Sequence, residues 1–297
     1  MQSSSQCIPC VLMQVKRILA HVPNISEETK KHVYKVALET AAKTSLEHPP
    51  SKFTSEVLEA VYQELGNIDP FVLVRRKENE LGERLYNELK PKISRLSDPI
   101  FSGIKASACG NIIDVGPADI YLDAAQKDLR KEFLELFEKP FTINHYQIFK
   151  EKFKTAETIL YILDNAGEVF LDKLVLESLK DKKINIVLKA YPILNDAVAE
   201  DARRAKLDTL GQLLELNKDT NKRYLGVDFS AVTDEFLSNF ENADIVIAKG
   251  HANFESLINV DRDCFFILMA KCPAVASYLN VKVGEQVFYY SPIKGEE

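Results

Sequence analysis

Polar side chains stand at the ends of three apolar runs in the second half of the sequence. In "YILDNAGEVFLDKLVL", residues 161–176, an apolar run ends in Asp164 and Asn165, and helical spacing follows at once. Asp196 follows the run "INIVLKA", and Lys249 follows the run "ADIVIA". Two carboxylates and an amide oxygen are hard ligands of the kind that divalent cations such as Mg²⁺ prefer. With a lysine to balance an anion, these residue types indicate metal-assisted chemistry on a phosphate.

Each of these residues taken singly has a plain structural interpretation, because Asp and Asn are favoured at helix starts and turns. Because these residues stand together at the ends of several predicted strands, their interpretation as a functional site is favoured. Gly167 alone does not make the G-x-G-x-x-G turn of a dinucleotide-binding fold. Ala166 stands where a haloacid-type phosphatase carries a second aspartate. Asp164 is therefore a better candidate for a metal ligand than for a nucleophile, although its spacing excludes neither role.

The elements that must position these residues fall into two halves. From residue 7 to about 150 the pattern is helical, with Ser26 and Thr54 as predicted N-caps and Gly66 as a predicted helix stop. Asp-Pro pairs precede two further predicted helices. We therefore predict a mainly helical N-terminal region over residues 1–150.

After about residue 155, short β-rich runs alternate with helical patterns. The runs are "TILYILD", "INIVLKA", "ADIVIA", "CFFILMA" and "QVFYY", with "RYLGVD" as a weaker candidate. Apolar runs of this length between helices are typical of a buried parallel sheet covered on both faces. The prediction for residues 151–297 is a Rossmann-like α/β domain, with three α/β/α layers and a doubly wound, mainly parallel sheet. Ligands of such sheets bind outside the carboxyl ends of the strands, which is where the polar residues stand.

Composition narrows the class of protein. The 44 acidic and 38 basic side chains give a formal charge of -6, without the basic excess expected of a nucleic-acid binder. Five cysteines are an odd number scattered through a long chain, which argues against a secreted disulfide framework. The N-terminal segment has no basic region before its apolar stretch and predicts neither a signal peptide nor a membrane span. We expect a cytoplasmic protein without nucleic-acid or membrane partners.

Six motifs along the chain carry a resemblance to a known family. They are "CIPC" near the N-terminus, the "RRKEN" helix, "SACGNIIDVG", "LDNAGE", "LNDAVAEDA" and "AKGHANFE", in this order between residues 7 and 290. Together they resemble the metal-dependent damage-control phosphatases, in particular the stand-alone members with an N-terminal Cys-x-x-Cys motif. The resemblance implies an α/β/α fold with a helical N-terminal region. It also implies hydrolysis of sugar phosphates or nucleotide-related phosphate esters with one divalent cation, Mn, Ni, Co or Mg.

The resemblance also implies roles for individual residues. Asp164, Asn165 and Asp196 match the metal ligands of the family, and Lys249 matches the lysine that meets the substrate phosphate. In the implied reaction, the backbone N–H groups near Gly250 stabilise negative charge on the phosphoryl oxygens together with Lys249 and the Asn165 amide.

A further segment of the family site is represented by Asn111 and Asp114 in "CGNIID". The chain also departs from the family pattern. Ala197 and Val198 stand where a Val-Thr pair is common, and Ala252 stands where a glycine is common. The first change puts one supporting hydrogen bond in doubt, and the second limits backbone approach to the phosphate.

Several other candidates keep two interpretations each. Glu168 is either the base that deprotonates the attacking water or a partner of the helix dipole. Lys77 and Asn79 either project toward the substrate or belong to a solvated helix face. The Cys7 and Cys10 thiols are either a zinc or redox pair or simply pack a helix terminus; a structural zinc normally needs four ligands, and no second Cys-x-x-Cys supplies them.

The sequence thus favours a metal-dependent phosphoric monoester hydrolase that acts on small phosphometabolites, in metabolite damage control. The alternative is a non-catalytic protein that binds or senses a phosphorylated metabolite at the same site, because a fold alone does not settle function. Methyl transfer to protein carboxylates, a third hypothesis, would need a nucleoside cofactor pocket, and the sequence shows no glycine-rich turn for one.

Overall fold

The structure, a computed structural model, describes residues 1–110, 129–217 and 222–293. The α-helices within these ranges are α1 (Cys7–Ala20), α2 (Glu27–Lys43), α3 (Pro50–Glu64), α4 (Val72–Ile93), α5 (Pro99–Cys109), α6 (Leu129–Glu138), α7 (Tyr146–Thr155), α8 (Val169–Ser178), α9 (Ala199–Arg204), α10 (Asp234–Asn242), α11 (Gly250–Leu257) and α12 (Pro273–Leu279). The strands are β1 (Ile143–Asn144), β2 (Thr158–Ile162), β3 (Lys183–Leu188), β4 (Gln212–Glu215), β5 (Ile245–Lys249), β6 (Cys264–Met269) and β7 (Gln286–Ser291). None of the helices in the described ranges combines the length and apolar character needed to cross a bilayer.

The strands form a seven-stranded sheet in the order β1-β7-β6-β5-β2-β3-β4. All neighbours run parallel except β6 and β7, which are antiparallel. From β2 the chain adds β3 and β4 on one side and then returns to place β5 and β6 on the other. The predicted doubly wound, mainly parallel sheet is thereby confirmed. The carboxyl ends of β2 and β5 adjoin at the switch in strand order, which is where open α/β sheets bind ligands.

Alternating side chains of β2 show how both faces of the sheet are covered. Ile159 and Tyr161 are buried in one core cluster with side chains of α4 to α9. Leu160 and Ile162 point the opposite way, into a second cluster with α10, α11 and α12. Full burial of each such side chain is worth about 1.5–3 kcal/mol, so a strand buried on both faces has to be apolar throughout. The predicted three-layer α/β/α arrangement is confirmed.

A third cluster joins helices α1, α2, α3 and the start of α4 to the sheet edge, where Ile193 and Leu194 of the loop after β3 are part of it. Helices α4 to α6 pack instead in the first cluster, against the sheet. Strand β1 also precedes residue 150 and pairs with β7. The division of the chain at residue 150 stays a prediction, although the helices before it are not packed as one separate unit.

Most local helix signals act as predicted. The Ser26 hydroxyl accepts a hydrogen bond from the Thr29 amide at 3.0 Å and caps α2. Gly66 follows α3 with φ +73°, the left-handed conformation that ends helices. The prediction of Thr54 as an N-cap is wrong, because α3 already begins at Pro50, whose fixed φ suits the first helical position.

The weak strand candidate "RYLGVD", residues 223–228, is not a strand in the structure. Gly226 has φ +64°, and a Cβ there would lie 2.3 Å from the carbonyl oxygen of Ala252. This segment is therefore a bend that packs closely on α11. The strand beside β3 is instead β4, Gln212–Glu215, whose short and partly polar sequence gives little periodic signal.

Helix α4 packs against the turn that follows β2 through a glycine. A Cβ on Gly82 would lie 2.2 Å from the carbonyl oxygen of Gly167. We expect Gly82→Ala to lower the free energy of unfolding by about 1–3 kcal/mol, because overpacking at a backbone contact outweighs the better helix propensity of alanine. Urea unfolding measures this, with the exposed Glu80→Ala in the same helix as a control that changes stability by less than about 0.5 kcal/mol. A Gly82→Ala chain as stable as the control would contradict the close packing.

Candidate active site

The loops after β2 and β3 are joined by backbone hydrogen bonds. The Ala166 amide donates to the Asn195 carbonyl at 2.9 Å, and the Ala197 amide donates to the Asp164 carbonyl at 2.8 Å. Asn165 and Asp196 form an isolated antiparallel bridge between the loops. The structure therefore brings the three predicted metal ligands, which follow two different strands, to one place at the sheet edge.

Gly250 lies directly against the Asp164 carboxylate. Its φ of +76° is in the left-handed region, and a Cβ there would lie 1.8 Å from Asp164 Oδ2. Only glycine allows the first residue of α11 to approach this closely. The structure thus places the predicted phosphate-contacting backbone beside the predicted metal ligand.

The charge balance at these ligands suits a cation. Burial raises the pKa of the Asp164 carboxyl well above its usual value, and the nearby Glu168 and Asp196 carboxylates raise it further. The Lys189 ammonium lies 3.8 Å from Asp196 Oδ2 and offsets part of this negative charge. Two neighbouring carboxylates beside an amide oxygen are a donor set that fits a hard divalent cation.

A cavity of about 470 Å³ opens at this edge of the sheet. Its walls include Asp164, Asn165 and Asp196, together with Gln14 and Arg17 of α1, Ser51 and Thr54 of α3, Asn195, and Lys271 after β6. Within the described part of the chain, the buried atoms Gln14 Oε1 and Ser51 Oγ have no hydrogen-bond partner. A cavity with such atoms is suited to a polar ligand that satisfies them.

Lys249 and Glu168 are fully buried and do not line the cavity. They lie beneath the three predicted metal ligands. Lys249 Nζ lies 2.9 Å from Glu168 Oε2 and 3.0 Å from Asp172 Oδ1. Burial lowers the pKa of this ammonium, but the Asp172 and Glu168 carboxylates outweigh that effect and raise it above its ordinary value. The structure therefore does not place Lys249 for direct contact with a phosphate, nor Glu168 for direct contact with a water in the cavity.

The buried ion pair orients a predicted ligand instead. The Asn165 side-chain amide donates from Nδ2 to Glu168 Oε1 at 2.9 Å and to Asp164 Oδ2 at 3.0 Å. With its nitrogen held in this way, Asn165 presents its oxygen as the atom for a cation. Sequence reasoning missed Asp172 in this network, although its position four residues after Glu168 places both on one helix face.

The other sequence-predicted substrate contacts lie elsewhere. Lys77 is exposed on α4, and the Nδ2 of the buried Asn79 donates to Asp201 Oδ1 at 2.7 Å. Neither residue lines the cavity. Asn111 and Asp114 lie outside the described residues.

Residues to which the sequence analysis assigned no role connect α1 and α4 to the site. Arg17 donates to Asn195 Oδ1 at 3.2 Å, and the Asn195 amide nitrogen lies 3.2 and 3.3 Å from the two carboxylate oxygens of Glu78. All three side chains are buried. They belong to three separate segments of the chain, so no spacing in the sequence relates them.

Comparisons with known proteins agree with the sequence resemblance. The family model described as "Damage-control phosphatase ARMT1-like domain" matches residues 3–287. A damage-control phosphatase of Pyrococcus horikoshii is 32% identical over 292 residues, which cover 97% of each chain. One of Archaeoglobus fulgidus is 31% identical over 234 residues, 76% of this chain and 77% of that protein. The crystal structure of a DUF89 family protein from Pyrococcus horikoshii is similar with a TM-score of 0.85 and 30% identity, over 98% of this chain and 99% of that one.

Proposed function

Because the chain belongs to the ARMT1-like damage-control phosphatase family, we propose that its cavity hydrolyses phosphate monoesters of small metabolites with the help of one divalent cation. The observation that carries the proposal is the position of Asp164, Asn165 and Asp196. They lie side by side at the carboxyl edge of the sheet and line a cavity of about 470 Å³. That volume suits a compact ligand such as a sugar phosphate or a nucleotide-related ester.

Asp164, Asn165 and Asp196 would hold the cation, one of Mn, Ni, Co or Mg. When bound, it would polarise a phosphoryl oxygen and lower the pKa of a water. The chain itself fixes the ligands before any cation arrives. The backbone of Gly250 leaves room for the Asp164 carboxylate, and Glu168 accepts a hydrogen bond from the Asn165 amide. Such preorganisation means that little reorganisation is needed during the reaction.

Phosphate binding is assigned to cationic side chains of the cavity wall. Arg17 and Lys271 line the cavity, whereas Lys249 lies behind the ligands. Lys271 is close enough for its charge to lower the pKa of Asp164, against the larger opposing effect of burial. A substrate phosphate between these side chains and a cation held by Asp164, Asn165 and Asp196 would have its charge balanced on two sides.

Glu168 is better described as a positioning residue than as the base. Its side chain is fully buried and is bonded to Lys249 and Asn165, so an attacking water in the cavity cannot reach it directly. The roles of Glu168 and Lys249 in this proposal are therefore to orient Asn165 and to balance charge from beneath.

Turnover of p-nitrophenyl phosphate tests the proposed function. Metal-stripped protein should release p-nitrophenol only after Mn, Ni, Co or Mg is added, and excess chelator should reverse the gain. Active metals then justify a screen of sugar phosphates and nucleotides as substrates. Absence of turnover with every metal, in protein that circular dichroism shows to be folded, would reject the proposed metal-dependent phosphate monoester hydrolysis. Calorimetric titration with sugar phosphates would then test the non-catalytic binding alternative.

A further inference from the structure

A second group of metal-ligating side chains lines the same cavity. His251 and Glu255 are one turn apart on α11, and Cys272 is the residue immediately before α12. One ligand atom from each of the three lies within 4.8 Å of the others. Ligand atoms of one tetrahedral zinc ion, bound at about 2.0–2.3 Å, lie about 3.3–3.8 Å apart, so side-chain movements of about 1 Å would close the group around an ion.

The histidine ring of this group is already oriented. Its Nε2 contacts the backbone, 2.8 Å from the Met269 carbonyl oxygen and 2.7 Å from the Lys271 amide nitrogen. Its Nδ1 faces Glu255, 4.0 Å from Oε1. In the tautomer that binds a metal at Nδ1, Nε2–H donates to the Met269 carbonyl oxygen, as metal-bound histidines commonly donate their second ring N–H to a carbonyl or carboxylate.

Glu255 is a buried carboxyl in this group. Burial raises the pKa of its side chain to about 8, despite a hydrogen bond from the backbone of Ser51. The exposed fraction of the side chain is 11%, and it contributes to the cavity wall. A buried carboxyl is costly when ionised unless a positive group or a metal compensates its charge, so a cation bound here would stabilise the charged form.

The Cys-x-x-Cys motif supplies a further donor to the same place. Cys7 and Cys10 of α1 line the cavity together with Cys272. Cys10 is exposed as a residue, but desolvation of its sulfur raises the pKa of the thiol to about 11, and Cys7, Cys272 and Glu255 are near enough to raise it further. The first turn of α1 and the group on α11 and α12 are therefore neighbours, although more than 240 residues separate them in the sequence. Cys10 lies outside the three-residue group whose ligand atoms are within 4.8 Å of one another. A movement of its side chain would bring in its sulfur as the fourth ligand, without a second Cys-x-x-Cys.

We propose that Cys10, His251, Glu255 and Cys272 form a zinc site that is distinct from the oxygen-ligand site at Asp164, Asn165 and Asp196. Two sulfurs, one imidazole and one carboxylate form a softer donor set than the all-oxygen group and favour zinc over Mg²⁺ or Mn²⁺. Binding would displace the thiol protons and link α1 to α11 and α12. Since α1 also carries Gln14 and Arg17, the zinc would fix one wall of the cavity in place.

Cobalt binding to the whole, reduced, metal-free chain tests this site without any measurement of phosphatase activity. Thiolate ligation of Co²⁺ gives a near-ultraviolet charge-transfer band that oxygen ligands do not give. We expect this band to saturate at one equivalent and to disappear when Zn²⁺ is added. Asp196→Asn, which alters only the oxygen-ligand site, should keep the band.

Variants of the proposed zinc ligands should lose the charge-transfer band or the Zn²⁺ affinity, whereas the control variants should keep them. Cys272→Ser and Cys10→Ser should each reduce the band by at least half, and His251→Ala should weaken Zn²⁺ binding by at least about tenfold, as measured by competition with a chromophoric chelator. The controls are Cys264→Ala, in the core on β6, and His32→Ala, exposed on α2. Cys10 is exposed, so Cys10→Ser remains a test even if Cys272→Ser does not fold. A wild-type chain without the band, or a band unchanged in a folded Cys272→Ser or Cys10→Ser chain, would overturn the proposal.

Discussion

Asp164→Ala is expected to lower kcat/KM for p-nitrophenyl phosphate at least 100-fold at saturating metal, without loss of stability in the metal-free chain. Loss of even a supporting group around a metal costs about 10- to 100-fold in activity, and loss of a ligand should cost at least as much. Stability should not fall, because the Asp164 carboxyl is disfavoured by burial and by the carboxylates of Glu168 and Asp196. Its pKa in the folded chain is above the unfolded value, so ionisation at neutral pH opposes folding and the substitution removes that cost.

Paired measurements on the same samples separate a catalytic role from a structural one. Metal-dependent turnover gives the activity, and urea unfolding in the presence of a chelator gives the stability. The matched control is Asp208→Ala, an exposed aspartate in the turn Leu207–Thr209 that should keep both. Turnover that survives in Asp164→Ala would refute the site assignment, and a loss of both activity and stability would point to a structural role.

Gly250→Ala gives an independent check of the same geometry. It leaves every ligand chemically intact, but its Cβ would overlap the position of Asp164 Oδ2 and its φ is unfavourable for alanine. We expect activity to fall as in Asp164→Ala, with a stability loss of about 1–3 kcal/mol from strain. Wild-type activity in this variant would show that the carboxylate does not need its present position.

The position of the proposed metal ligands was predictable from sequence because it follows from the backbone. An apolar run that ends in Asp164 and Asn165 marks the end of a buried strand, and the carboxyl ends of parallel strands meet at one edge. Asp196 follows a second run of the same kind, so the three residues could be brought together without knowledge of any side-chain direction.

The predicted role of Lys249 shows where this reasoning stops. Its place at the end of β5 indicated a phosphate contact, but the side chain is enclosed beneath the ligands. Side chains along a strand alternate between the two faces of the sheet, so Lys249 lies on the same face as Ile245 and Ile247. Both isoleucines are buried in the first core cluster, and Lys249 is enclosed with them. That face is covered by α8, which carries Asp172 and begins directly after Glu168.

The Cys10, His251, Glu255 and Cys272 group was beyond sequence reasoning for a different cause. Only His251 and Glu255 have a local relation, the spacing of one helical turn. Cys10 and Cys272 come from other segments and line the same cavity only in the folded chain, so their proximity depends on the tertiary fold rather than on periodicity. The same holds for Arg17, which reaches Asn195 across 178 positions.

Lys249→Met is expected to destabilise the metal-free chain by about 3–5 kcal/mol, in contrast to Asp164→Ala. Removal of the ammonium would leave the carboxylates of Glu168 and Asp172 buried without their cation, and an uncompensated buried charge carries a cost of this size. Adding Asp172→Asn should recover part of the loss, because one of the two stranded charges is then removed. Urea unfolding of the single and double variants measures both effects, with the exposed Lys180→Met as the control. If Lys249→Met cost less than about 1 kcal/mol, or if Asp172→Asn deepened the loss, the ion pair would not be what holds Glu168 and Asn165 in place beneath the ligands.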